Sequence, residues 1–114
     1  MIVGYDNRMS RRSDQIAGLL RGIIARFTVE IPPQTATGIS ITEVRLSPDL
    51  LYADVHVSAI SGASAATEVL LSRKGEIRKV IAKEINTYTV PILRFHTDTR
   101  GEEADALDTL IDSL

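Results

Sequence analysis

Between Ala66 and Ile85 the apolar residues recur at the spacing of one helical face: Ala66, Val69 and Leu70, then Ile77, Val80, Ile81 and Ile85. The two halves are in phase, so one straight helix would carry Arg73 in the middle of its buried stripe, with Lys74 at the edge. Burying an unpaired guanidinium costs several kcal/mol, which disfavours the straight rod. A kink or short break is therefore expected at "SRKG", residues 72–75, where Gly75 weakens the helix further, with a second helix "EIRKVIAKEI" after it. Such a break leaves amide groups free at a helix start, beside Arg73, Lys74, Arg78 and Lys79. Free N–H groups together with positive charge are what phosphate binds.

Upstream, "VRLSPDLLYADVHVS", residues 44–58, sets two alternating runs around a Ser47-Pro48-Asp49 corner. Proline at the second position of a tight turn, after serine, suits a type I geometry. In the second run Leu51, Ala53, Val55 and Val57 are expected inward, with Tyr52, Asp54, His56 and Ser58 outward. In the first, Ile39 and Ile41 share one parity and Val44 and Leu46 the other. A regular strand cannot bury both pairs, so a bulge is predicted near Thr42 and Glu43. A third strand follows Pro91, in which Ile92, Arg94 and His96 alternate with Leu93, Phe95 and Thr97.

A first helix is marked by Ile16, Leu19, Leu20, Ile23, Ile24 and Phe27, with Ser10 or Ser13 as its expected cap. Gly18 and Gly22 fall roughly opposite that stripe, although each costs about 1 kcal/mol relative to alanine inside a helix. One account is tolerated drift; the other is close approach of a partner's backbone to this smooth face. "EIPPQTATG", residues 30–38, reads as a loop, and Leu107, Leu110, Ile111 and Leu114 as a short closing helix. One domain over 1–114 is expected, with 1–9 flexible and 99–114 a C-terminal helix that either docks loosely or frays.

The net charge of −2 averages two unlike regions. Residues 98–114 carry six acids against Arg100, and residues 1–97 are net positive, with clusters at Arg8, Arg11 and Arg12 and from Arg73 to Lys83. A local field of this kind binds phosphate even on an acidic chain. Cysteine is absent, which excludes disulfides and thiolate chemistry. The longest apolar stretch, "IAGLLRGIIA", is interrupted by Arg21, and a soluble cytoplasmic protein is expected.

The element order is α, β, β, α, kink, α, β. It matches in outline an α+β fold, the type II K-homology (KH-like) domain, a three-stranded sheet with helices packed on one face. Within that frame "LSPDLLYADVHVSAISG" closely resembles the signature region of the ribosome-binding factor A family, and the likeness extends to "RRSDQIAGLLRGIIAR", "VPILRFHTD" and "ALDTLI". The resemblance implies a non-catalytic, monomeric RNA-binding assembly factor for the small ribosomal subunit. It further implies a part in late maturation and 5′-end processing of the subunit's RNA, assembly GTPases as partners, and importance in the cold. That family carries a kinked helix with Ala-x-Gly; here the matching residues are Arg73, Lys74 and Gly75.

The expected RNA-binding residues are Arg73, Lys74, Gly75, Arg78, Lys79 and Lys83, with Arg8, Arg11 and Arg12 as a second contact or a basic arm. Three tyrosines and two phenylalanines, never paired on one strand face, make base stacking on the sheet a poor fit and backbone recognition a better one. Two further function classes stand beside it. A protein-interaction adaptor would use the small face of the first helix or the acidic tail. A metal-dependent enzyme would use Asp54 with His56, or His96 with Asp98, but neither pair has a third member; no metal or cofactor is expected.

Overall fold

The computed structural model describes the backbone of residues 3–85 and 89–99, and side chains from Arg11 onward. The elements are α1 (Val3–Thr28), β1 (Ser40–Leu46), β2 (Tyr52–Ser58), α2 (Ala63–Ser72), α3 (Lys74–Glu84) and β3 (Ile92–Asp98). The expected closing helix and Arg8's side chain lie outside the described residues. Among the described residues no helix is long and apolar enough to cross a membrane.

β2 is the central strand, antiparallel to β1 and parallel to β3. A parallel pair needs a long crossover, and α2 and α3 supply it. Ala53, Val55 and Val57 of β2 are fully buried against the helical layer. They meet Ile16, Leu20, Ile23 and Ile24 of α1, Leu70 of α2, and Ile77 and Ile81 of α3 in one core. Fully burying an aliphatic side chain of this size stabilises the fold by about 1.5–3 kcal/mol, so this layer is the main source of stability. The predicted bulge is present: the β1–β2 register shifts between Ile41 and Glu43, which lets buried Ile41 and half-buried Val44 and Leu46 share one side.

Three expectations need correction. α1 begins at Val3, so Ser10 and Ser13 lie inside it rather than capping it. Once packing has nucleated a helix, each further turn adds its own hydrogen bonds, and no proline stops the chain before Ser10. Leu19, at the edge of the apolar arc, is 54% exposed. Leu51 is also exposed, and Leu50 packs on the core instead. The exchange comes from the corner itself, where Leu50 adopts φ +62, a conformation rare outside glycine that turns the chain over.

That strained residue is held by a dense network. The Leu50 N–H donates to the Ser47 carbonyl at 2.9 Å, closing the tight turn over Pro48 and Asp49. The Ser47 hydroxyl donates to Asp49 Oδ1 at 2.6 Å, the same oxygen accepts the Leu51 N–H at 3.1 Å, and Ser47 Oγ accepts the Tyr52 N–H at 3.0 Å.

"EIPPQTATG" proves to be more than a connector. Ile31 and Ala36 are buried in the core, and Thr37 bridges Ser61 in front of α2. Gly62, the residue before α2, has φ +79, and a Cβ there would stand 2.3 Å from the Thr35 carbonyl oxygen. Only glycine fits this crossing.

The outer face of the sheet is wet. The register sets Asp54 beside Arg94 and His56 beside His96. The Asp54 carboxylate accepts both forks of Arg94 at 2.9 Å and lies 2.7 Å from His96 Nε2. The two imidazoles stack at 4.9 Å, and Arg94 covers the Tyr52 ring at 4.5 Å. The sequence pairing of Asp54 with His56, and of His96 with Asp98, thus gives way to pairing across strands. Asp54 is held below the usual carboxylate range by Arg94 and then His96, and Asp49 by Ser47 and then the Leu51 amide.

Two outcomes are expected. Ser47→Ala removes two hydrogen bonds at the corner and should lower stability by about 1–2 kcal/mol, read as a shifted urea midpoint with unchanged slope. The folded-state carboxyls titrate below the ordinary value of 3.8, so their stabilisation is complete above that pH and lost as pH falls through the lower folded values. Asp54→Asn should therefore flatten the acid limb of the stability curve below about pH 4 and leave its shape near neutrality unchanged.

Candidate nucleic-acid interface

The helical segment breaks at one residue. Arg73 ends α2 and begins α3 with φ −102 and ψ 13, outside helical geometry. Its N–H is shared between the Val69 carbonyl at 3.2 Å and the Leu70 carbonyl at 3.1 Å, and its own carbonyl accepts the Ile77 N–H at 3.0 Å. The predicted kink is present, two residues before Gly75. Leu70 and Ile77 on either side are fully buried, so the apolar stripe continues across the break while the cation leaves it.

The guanidinium finds compensation at the end of α1. Arg73 Nη1 donates to Glu30, Nη2 donates to Glu76 at 2.8 Å, and the group lies 4.6 Å above the Phe27 ring. The side chain is 28% exposed. Hydrogen bonds to Glu76 and then Glu30 raise its pKa further, and the same contact lowers that of Glu76. Arg78 also faces the protein: its guanidinium donates to the Val90 carbonyl at 3.2 Å, and its Nε is buried with no partner among the described residues.

What remains outward is a smoother surface than the sequence suggested. No side chain caps the start of α3, because Arg73 stands at the N-cap and its guanidinium only donates. Gly75 is exposed with open space where a Cβ would stand. At 100° per residue, Gly75, Lys79, Ala82 and Lys83 share one arc of α3, and Lys74 and Arg78 the neighbouring one. Lys79, Val80, Ala82 and Lys83 line a shallow depression there, and both lysines are exposed. The first turn and this arc together offer a helix start without a side-chain cap, a bare glycine and two exposed cations.

The second basic group stands apart. Arg11 and Arg12 are exposed on α1, and Arg12 lines a different depression with Ile16, Leu46, Asp49, Leu50, Thr89 and Pro91. Gly18 and Gly22 have open space around them and flank a groove between α1 and α3, closed by the Arg26–Glu84 ion pair at 2.5 Å. Among the described residues no group of three or more histidines, aspartates or glutamates is arranged to hold a metal. Sequence reasoning missed the acids Glu30 and Glu76 as Arg73's partners. Glu76, three residues after Arg73 on the expected helix, was the available signal.

Comparison with known proteins agrees with this architecture. Residues 8–111 match the family described as ribosome-binding factor A. The chain is 33% identical over 112 residues to ribosome-binding factor A of Parvibaculum lavamentivorans, covering 96% of this chain and 80% of that protein. The crystal structure of ribosome-binding factor A from Thermus thermophilus superposes with a TM-score of 0.65 at 19% identity, over 75% of this chain and 93% of that one. A homology model of Thermus thermophilus ribosome-binding factor A, fitted into a cryo-EM map of a 30S complex, gives a TM-score of 0.62 at 20% identity, over 72% and 90% of the two chains. With the family match spanning nearly its whole length, the chain belongs to the ribosome-binding factor A family.

Proposed function

We propose that the protein is a non-catalytic assembly factor that binds the RNA of the small ribosomal subunit through the first turn and outer arc of α3. The observation that carries this is the break at Arg73, which starts a new helix, uncapped, beside a bare glycine and two exposed lysines. A helix N-terminus with nearby cations favours phosphate through both its free N–H groups and its dipole. The Thermus thermophilus relative placed in a 30S complex supports the choice of partner. Lys74, Gly75, Lys79 and Lys83 are the proposed contacts, and Arg11 and Arg12 a second, weaker one. The role we assign extends to late maturation of the subunit, including the 5′ end of its RNA, by a cytoplasmic monomer acting alongside assembly GTPases. Support for that extension is the likeness to the family.

A protein-adaptor role has one supporting observation, the groove between α1 and α3 beside Gly18 and Gly22. Salt separates the two roles, since Lys and Arg contacts to phosphate release counterions. Co-sedimentation with isolated small subunits should weaken steeply as salt rises. Lys79→Glu with Lys83→Glu should reduce binding and shallow its salt dependence by about 0.7–0.9 per lost contact, without changing thermal stability. Unchanged association of that variant, or salt-insensitive capture of a protein with no RNA affinity, would favour the adaptor.

A further inference from the structure

We propose that Arg73 is a positioning residue for this interface and not one of its phosphate ligands: it ties Phe27, Glu30 and Glu76 together and so fixes the direction in which α3 leaves α2. The inference rests on the RNA-binding role proposed above.

Charge is the first ground. Arg73 with Glu30 and Glu76 makes a cluster of one cation and two anions. To serve a phosphate, the guanidinium would have to leave both carboxylates, which would then stand unneutralised beside the RNA. As a unit the cluster repels phosphate. Glu76 keeps its charge, because the Arg73 hydrogen bond lowers its pKa.

Geometry is the second. The junction contains no proline, and the Arg73 N–H already reaches the Val69 carbonyl expected of a continuous helix as well as the nearer Leu70 carbonyl. A modest change in the backbone at Arg73 would merge α2 and α3. The merged rod would return the guanidinium to the stripe between Leu70 and Ile77, where nothing compensates it. The bent form offers an aromatic face and two carboxylates, one from α3 and one just past the end of α1. The bend is thus stabilised by contacts that reach outside the bent segment. The first-turn amides of α3 and the arc of Gly75, Lys79 and Lys83 point where the bend sends them. Lysine cannot replace this arginine, since it lacks the planar fork and the flat face that stacks on Phe27.

The test uses three variants of the whole chain, Arg73→Ala, Arg73→Lys and the double variant Glu30→Gln with Glu76→Gln. The angle between α2 and α3 is measured from amide residual dipolar couplings of the free protein, and affinity for isolated small subunits across a salt series. All three variants should turn α3 by more than about 10° and weaken binding roughly tenfold through lost preorganisation, with the salt slope unchanged. The double variant is decisive. It removes two negative charges near the RNA, so simple electrostatics predicts tighter binding, whereas a positioning role predicts weaker binding. Tighter binding with a steeper salt slope would make Arg73 a phosphate ligand held in check by acids and overturn the proposal. An unmoved α3 axis, or full rescue by lysine, would overturn it as well. If Arg73→Ala fails to fold, the double variant carries the test, because it keeps the arginine and the shape of every side chain. Should the unmodified protein not bind the subunit at all, the RNA-binding role fails, while the axis measurement still decides whether Arg73 sets the bend.

Discussion

A guanidinium cannot lie uncompensated in an apolar stripe, and the helical layer of this protein is arranged around that fact. Leu70 and Ile77 must both be buried against the sheet, and Arg73 stands between them. The chain meets both demands by breaking the helix at that residue and swinging its charge onto Phe27 and Glu30 at the end of α1. This contact joins the end of the first helix to the crossover between β2 and β3. Ion pairs to carboxylates as exposed as Glu30 and Glu76 add little net stability, but they hold geometry when the alternative is an unpaired charge in the core.

The opposite end of the molecule solves a different problem by similar means. The Ser47-Pro48-Asp49 corner must connect two antiparallel strands while turning Leu50 toward the core. It does so with a non-glycine residue at positive φ, held by side-chain hydrogen bonds from Ser47 and Asp49. In both places local backbone geometry that would be costly alone is fixed by polar groups close at hand. The sheet between them supplies the apolar burial and leaves its outer face to Asp54, Arg94 and the stacked histidines.

The proposed interface follows from which charges remain after the fold has used the others. Along the chain Arg73, Lys74, Gly75, Arg78, Lys79 and Lys83 form one cluster. In the folded chain Arg73 is committed to two carboxylates and Arg78 to the Val90 carbonyl, whereas Lys79 and Lys83 stay in solvent. The interface we propose is accordingly narrower than the charge run, on α3 with Gly75 at its start. Arg11 and Arg12 sit on a different element and line a different depression.

Much of the fold was legible in the sequence because its signals are local. The 3.6-residue and two-residue periods mark α1, α2, α3 and the strands, the parity change at Thr42 marks the bulge, and the cation within the stripe marks the break. These depend only on which residues a helix or strand can turn toward a core. What tertiary structure alone decided are contacts between residues remote in the chain: Arg73 with Glu30, 43 positions away, and Arg94 with Asp54, 40 away. The exchange of Leu51 for Leu50 is local by contrast and escaped the two-residue period because one left-handed residue turns the chain over. Such pairings follow from strand order, register and the path of the chain between elements. No periodic pattern encodes those, because a side chain's own neighbours fix the face it lies on but not the partner it will meet there.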